Sequence, residues 1–325
     1  MRHNRIFWIA LLAWVGTTLV SCEKVLDIDD DGSARQLVLN AVPTAGQQAF
    51  VNFTYTHFFL GGDNAQPVAD ADLTLYVNGV PYHWNPLTDS LSATGCNYFF
   101  PYTLQEDDTL AITVKADGQT VSAQTYVPKL PDVSDVKFEN YAEIFYFYLA
   151  KFALTDHADY PEYYCIKVDE RDSGERYNAW KHKYDTVDTI HSTTILVPQN
   201  PKMTSLEVNP YLPTAGYNVY TRLMCTDKLL DGQTDSVRIY ILRTIDTNEV
   251  APFKHEYTLT IESVTPARFR YLLSASSASS MNSFFAEQSQ PFTNVSGGLG
   301  IFAGSAKRKY MFCPDTLPPS NPFLP

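Results

Sequence analysis

Alternating apolar and polar residues recur along most of the chain and predict β-strands. In the first third, Leu73, Leu75 and Val77 alternate with polar neighbours, and Asn78-Gly79 follows them. Alternation that ends in such a dipeptide is typical of a strand entering a tight hairpin turn. Further alternating positions flank a second turn dipeptide, Asp117-Gly118: Leu110, Ile112, Val114, Val121, Ala123, Thr125 and Val127. Residues 34–128 are therefore predicted to form an immunoglobulin-like β-sandwich.

A proline pair in Pro128-Lys129-Leu130-Pro131 predicts a domain boundary, because residues before proline favour extended backbone. Strand patterns resume beyond it in five segments, 145–154, 163–169, 217–226, 237–245 and 255–262. One helix is predicted near residues 265–287, since Thr265 suits the cap and Pro266 the first helical position. The chain is thus predicted to be mainly β, with a second β-rich, sandwich-like domain over 132–313 and a Pro-rich tail over 314–325.

The N-terminus has the features of a secretory signal. Arg2 and Arg5 precede a mostly apolar stretch over residues 6–20, and Ser21-Cys22 follows. Fifteen residues fall short of the roughly 20 that a membrane-spanning helix needs. The segment Leu19-Val20-Ser21-Cys22 resembles the bacterial lipobox. That resemblance implies that residues 1–21 are removed as a signal peptide and that Cys22 is acylated.

Residues 22–33 form a predicted acidic tether. Its acidic side chains are Glu23, Asp27, Asp29, Asp30 and Asp31. Clustered like charges repel one another and keep a segment extended. The cluster also resembles the surface-export signal of Bacteroidetes lipoproteins, which implies the outer-membrane surface. The periplasmic face of that membrane is the alternative.

The charge balance argues against nucleic acid as a partner. Removal of Arg2 and Arg5 leaves 22 basic against 36 acidic residues, a net charge of −14. No basic patch remains of the kind that nucleic-acid binding requires. Apart from Cys22, the cysteines are Cys96, Cys165, Cys225 and Cys313. Four cysteines allow three disulfide pairings, and the sequence does not choose between them.

No motif for catalysis, metal or cofactor binding emerges. Gly297-Gly298-Leu299-Gly300 lacks the Gly-Lys-Ser/Thr of a phosphate loop, so a structural role is predicted for it. The serine elbow of hydrolases is absent. Asp156-His157-Ala158-Asp159 is the one local cluster resembling a ligand set, and a solvated loop is the favoured interpretation. A non-enzymatic protein without metal or cofactor is predicted.

Aromatic residues offer the candidate binding site. Trp84 lies near the first predicted hairpin, and Tyr177, Trp180 and Tyr184 lie in a loop-like stretch rich in arginine and lysine. Exposed rings beside hydrogen-bonding groups suit a glycan or peptide ligand. The alternative is that these rings pack onto the sandwich.

Several segments resemble the DUF4249 family of Bacteroidetes outer-membrane lipoproteins. The clearest is 290–302, with Asn294 followed by Gly298-Leu299-Gly300 and Phe302; the others are 22–24, 67–75, 123–128, 152–156 and 163–164. The resemblance implies association with a TonB-dependent uptake system and assigns no activity. We therefore expect a surface-exposed lipoprotein that acts as a non-enzymatic accessory, by ligand capture or docking. A structural or adhesive surface protein, or a hydrolase with a site assembled from distant loops, is the alternative.

Overall fold

The computed structural model describes residues 35–56, 65–86, 95–141, 147–198, 217–226, 232–242, 249–279 and 291–314. These residues are mainly β-strand with one helix, which confirms the predicted fold class. Cys22, the acidic tether and residues 315–325 lie outside the described residues. No helix in these ranges is long and apolar enough to cross a membrane.

The first sandwich begins with eight strands. They are β1 (Leu37–Ala41), β2 (Gln48–Tyr55), β3 (Asp72–Val77), β4 (Val80–His83), β5 (Asn85–Pro86), β6 (Tyr98–Thr103), β7 (Thr109–Ala116) and β8 (Gln119–Tyr126). One sheet has the order β1-β2-β6-β5 and the other β4-β3-β7-β8. The predicted alternation is confirmed, since Leu73, Leu75 and Val77 face a core that both sheets line. At the β3–β4 turn, Asn78 and Gly79 both have positive φ, as a tight hairpin requires.

The second sandwich has ten strands among the described residues. They are β9 (Asp132–Tyr141), β10 (Phe147–Thr155), β11 (Tyr163–Asn178), β12 (Lys183–Ser192), β13 (Ile195–Pro198), β14 (Tyr217–Tyr220), β15 (Arg222–Thr226), β16 (Thr234–Leu242), β17 (Glu249–Val264) and β19 (Ser305–Phe312). One sheet has the order β14-β13-β16-β10-β9 and the other β12-β11-β17-β19, with β15 beside the first part of β11. Residues of both sheets, such as Phe152 and Ile261, meet in one core.

The helix α1 (Pro266–Ser279) covers the outer face of the second sandwich. It begins at the predicted proline, and its Phe269 packs against Cys165 and Met224. The Thr265 hydroxyl has no hydrogen-bond partner among the described residues, so the predicted cap is not formed by that side chain. Instead the backbone N–H of Thr265 donates to Gly304 O at 3.1 Å.

The predicted continuous domain over 132–313 is wrong for residues 295–302. Strand β18 (Leu299–Phe302) pairs in parallel with β1, from Val38–Leu299 to Ala41–Phe302, and completes the first sandwich. Phe302 is fully buried in that sandwich's core. The prediction failed because local alternation indicates a strand and does not reveal which distant edge the strand will join.

The chain then crosses to the second sandwich through Ala303 and Gly304. These residues and Ser305 are buried, and together with β18 they form what we call the crossover segment, Leu299 to Ser305. The backbone of this segment is hydrogen-bonded to the first sandwich. Ala303 N–H donates to Ala41 O at 3.2 Å, and Ser305 N–H donates to Pro43 O at 2.9 Å. A Cβ on Gly304 would collide with the Tyr126 carbonyl oxygen.

Asn294 holds the crossover segment from the side. Its amide donates to Phe302 O at 2.8 Å, and its side-chain oxygen accepts from Phe302 N–H at 3.0 Å. Gly300 has a φ of +106°, and a Cβ there would collide with the Leu39 carbonyl oxygen. Only glycine combines that backbone conformation with so close an approach. The structural role predicted for these glycines is confirmed.

Cys165 and Cys225 are buried thiols on neighbouring strands. Cys165 contacts α1, whereas Cys225 lies in the core between the two sheets, so the two side chains occupy opposite faces. Both are free thiols. Burial raises the pKa of each to about 12. They act as small core residues.

Replacing Gly300 with alanine is expected to destabilise the protein by at least about 3 kcal/mol, because the clash with Leu39 adds to the strain of a positive φ. Gly79→Ala is a matched control, since its φ is +81° but nothing lies within 4 Å of the added Cβ. The control should cost about 1 kcal/mol. Urea unfolding followed by circular dichroism measures both, and equal losses would contradict the close-approach argument.

Candidate functional site

Strands β11 and β12 form a long hairpin that leaves the core of the second sandwich. They pair continuously from Asp169–Ser192 to Asn178–Lys183. Most side chains of β12 are exposed. The Asn178 side-chain oxygen accepts hydrogen bonds from the backbone N–H groups of Trp180 and Lys181, at 3.1 and 3.2 Å. This local bonding shapes the turn, because asparagine can replace a backbone acceptor there.

Three predicted binding aromatics meet at this turn. Trp180 is 97% exposed, and Tyr177 pairs directly across the hairpin with Tyr184, with ring centroids 5.3 Å apart. We call Tyr177, Trp180 and Tyr184 the tip cluster. So exposed a tryptophan adds little to the packing of the residues that the structure describes, and its indole is available to another molecule.

The fourth predicted aromatic, Trp84, does not belong to any exposed site. It is 8% exposed and packs against Phe100 in the first core, with ring centroids 5.4 Å apart. The prediction that Trp84 binds ligand is wrong, because the chain between β4 and β5 turns this side chain inward. Trp84 is a core residue.

The tip cluster is surrounded by basic side chains. Lys181 Nζ lies 2.9 Å from Asp185 and Lys183 Nζ lies 3.8 Å from it, while His182 completes a run of three. The hydrogen bond from Lys181 is the main cause that lowers the pKa of Asp185. One acidic residue thus meets two lysines, which leaves the turn cationic on a strongly acidic protein.

At the base of the hairpin, three ionisable side chains converge. Glu170 and Asp172 of β11 and His255 of β17 place one ligand-type atom each within 4.8 Å of one another. We call these three residues the carboxylate–histidine cluster. The sequence alone does not reveal this cluster, because Asp172 and His255 are 83 residues apart and only the β11–β17 register brings them together.

A cavity of about 320 Å³ lies between the two sandwiches. Its lining includes Tyr126 of the first sandwich, Glu162 and Val264 of the second, and Lys129 of the connector. The Lys129 ammonium lies 4.9 Å from the ring centre of Tyr160, a cation–π contact. Burial is the main cause that raises the pKa of Tyr160 to about 12.

Asp156 is buried and interacts with Glu162 of the cavity lining, so the predicted solvated loop is wrong for it. The side chain is 3% exposed and accepts a hydrogen bond from the Gly232 N–H at 2.8 Å. The neighbouring Glu162 is also buried, and its carboxylate accepts a hydrogen bond from the His157 N–H at 2.9 Å. Burial raises the pKa of Asp156, and the charge of Glu162 adds to the effect. Ala158 and Asp159 are exposed, as expected of a loop.

A protein-family model described as a domain of unknown function, DUF4249, matches residues 23–311. The chain belongs to the DUF4249 family. The match confirms the family resemblance and spans both sandwiches, the tip cluster and the carboxylate–histidine cluster of this DUF4249 protein. A search of curated proteins gave no match.

Asp156→Asn is expected to stabilise this DUF4249 protein near pH 8 and to have little effect below about pH 4. The raised pKa means that the protonated carboxyl favours the folded state fully at low pH, and that this contribution is lost as pH rises through the folded-state pKa. Asparagine keeps the acceptor for Gly232 without the charge. Urea unfolding at both pH values measures the difference.

The exposed neighbour Asp159 provides the control for this experiment. Asp159→Asn should leave the free energy of unfolding unchanged within about 0.5 kcal/mol at both pH values. A stability gain for Asp156→Asn that is the same at both pH values would contradict the assignment.

Proposed function

We propose that this DUF4249 protein is a lipid-anchored accessory of a TonB-dependent uptake system on the outer-membrane surface, and that the tip cluster docks onto the transporter. The observation that carries the proposal is the 97% exposure of Trp180 at the end of a hydrogen-bonded hairpin. Tryptophan, tyrosine and arginine dominate the binding energy of protein interfaces. A protruding tryptophan between two tyrosines has the composition of such an anchor.

The binding free energy expected from burying Trp180 supports docking by the hairpin. Burying an aromatic side chain removes about 150–250 Å² from water, which corresponds to roughly 4–6 kcal/mol before the costs of association. Those costs are lower for a preformed element. The ten residue pairs of β11 and β12 and the Asn178 bonds hold Trp180 in place before any partner arrives.

The charge around Trp180 predicts that the partner surface is acidic. Lys181, His182 and Lys183 surround Trp180, whereas the protein as a whole is strongly acidic. A complementary site would combine a pocket for the indole with an acidic rim, since opposite charges speed encounter and suppress wrong partners. Such a rim would attract the turn while repelling most of the remaining surface.

The lipid on Cys22 would supply proximity. Twelve residues lie between Cys22 and Arg35, and the thirteen steps from one to the other span at most about 45 Å, so the first sandwich would begin within that distance of the anchor. A tether of that length raises the effective concentration of two proteins that share one membrane. A modest affinity of the tip cluster would then suffice for lasting association.

Ligand capture is a second candidate, favoured by the cavity between the sandwiches. Tyr126, Lys129, Tyr160 and Glu162 combine aromatic faces with charged groups, a lining suited to a glycan or peptide fragment. Capture and docking are compatible, because the cavity and the tip cluster use different residues.

Trp180→Ala is expected to reduce recovery of the transporter at least tenfold when the full-length tagged protein is purified from detergent-solubilised outer membranes. The loss follows from removal of the interface anchor. Quantitative mass spectrometry of copurified TonB-dependent receptors measures it, and a photo-crosslinking residue at position 180 identifies the contact.

Ile190→Ala is the matched control, since Ile190 is 70% exposed on the same hairpin but away from the turn. Both variants should keep wild-type stability within about 0.5 kcal/mol. Equal recovery of the transporter with Trp180→Ala and wild type would refute docking by the tip cluster.

Cys22→Ala is expected to release the protein from the membrane fraction, because acyl chains on Cys22 would be its attachment. Cell fractionation followed by immunoblotting measures the release. Protease treatment of intact cells tests the membrane face, and surface exposure predicts digestion of the wild-type protein. Full protection in intact cells, with digestion after lysis, would instead place it on the periplasmic side.

A further inference from the structure

The carboxylate–histidine cluster occupies a position where a sandwich normally has apolar side chains. Along β11, Tyr164, Ile166 and Val168 face the second core, and Glu170 and Asp172 continue that same face. Glu170 is 0% and Asp172 3% exposed. The inward face therefore changes from hydrocarbon to carboxylate within one strand.

The geometry brings one atom from each residue to a common point. His255 Nδ1 lies 3.0 Å from Glu170 Oε1 and 2.9 Å from Asp172 Oδ1. One ring nitrogen carries at most one hydrogen, so it cannot donate fully to both oxygens. Two ligands each about 2.1 Å from a shared ion and at right angles would be about 3.0 Å apart. The two spacings to His255 Nδ1 fit that arrangement, and they are also ordinary N–H···O hydrogen-bond distances.

Outer partners fix the orientation of both carboxylates. Tyr257 OH donates to Glu170 Oε1 at 2.6 Å, and Arg176 donates to Asp172 Oδ2 at 3.2 Å. His191 Nε2 lies 3.3 Å from the other oxygen of Glu170. Metal-ligating carboxylates are typically held by such second contacts, which orient the coordinating oxygen.

A contribution to folding stability does not readily explain why these ionisable residues are buried here. Burying a carboxylate is costly, and apolar residues of similar volume often replace a buried ion network without loss of stability. The main competing arrangement is a protonated His255 between the two carboxylates, with Arg176 as a further cation. That network would close the end of the sandwich without any ion.

We propose that Glu170, Asp172 and His255 bind a divalent first-row transition-metal ion, such as Zn²⁺ or Mn²⁺. Two carboxylates and one imidazole suit these ions, whereas Ca²⁺ and Mg²⁺ favour oxygen ligands. His255 is 19% and His191 44% exposed in their side chains, so the ion would enter, and keep water ligands, on that side. The proposal is independent of docking by the tip cluster.

Bound metal would join β11 to β17 just before the hairpin leaves the core. The two strands change register at Gly174, two residues after Asp172. A coordinate bond from each strand would hold them together at this irregularity. The ion would therefore stabilise the base of the hairpin that carries the tip cluster.

The test uses the purified full-length protein in detergent after treatment with a chelator, titrated with ZnCl₂ and MnCl₂ by isothermal titration calorimetry. We expect one ion per protein for at least one metal, and a rise in melting temperature at saturation. His255→Gln and Glu170→Gln should each weaken binding at least about tenfold. His83→Gln, an exposed histidine of the first sandwich, should bind as wild type does.

Circular dichroism verifies that each variant is folded. Asp172→Asn removes the third proposed metal-ligating group and serves as a further variant if one of the others fails to fold. Should all three be unfolded, X-ray absorption of the zinc-loaded wild type decides, and mixed nitrogen and oxygen ligation with a single imidazole supports the proposal. Absence of one-to-one binding in the wild type, binding undiminished in a folded ligand variant, or ligation by several imidazoles would overturn it.

Discussion

The backbone hydrogen bonds of the crossover segment hold this protein's two halves together. Leu299 to Phe302 form an edge strand of the first sandwich, and Ser305 begins an edge strand of the second. Only Ala303 and Gly304 separate the two strands, and both are buried. Ser305 also donates its hydroxyl to Glu262, which pairs with Arg268 of α1 at 2.9 Å. So short a connection keeps the two edge strands, and with them the two sandwiches, next to each other at this point.

Strand β11 connects the other features of interest. Its first part lies in the core, its middle carries Glu170 and Asp172, and its end reaches the tip cluster. Rigid β-sheet thus positions both candidate sites, as a scaffold does for functional loops in many folds. The exposed ion pairs along the hairpin, such as Arg171 with Asp188, add little energy, so strand pairing determines where Trp180 lies.

Features encoded locally were predictable from sequence, and features created by distant pairing were not. Leu73, Leu75 and Val77 with Asn78-Gly79 specify a strand and turn within seven residues, and the structure agrees. Trp84 and Trp180 both sit among polar and aromatic neighbours, so composition could not separate a core residue from an exposed one. The Asp172–His255 contact and the β1–β18 pairing depend on strand order, which alternation does not encode.

The parallel pairing of β1 with β18 also has a consequence for the biogenesis of the protein. The first sheet gains its β18 edge only when residues 299–302 arrive, some 260 positions after β1. A chain that emerges from a membrane N-terminus first must therefore wait until nearly its whole length has been translocated. During that interval the edge of β1 is unpaired, a state that invites association with other chains. Non-local pairing of this kind also slows folding. Under the export proposed above, the protein should consequently depend on chaperones until its last strands have crossed, and a chain truncated before residue 299 should aggregate rather than yield a folded N-terminal half.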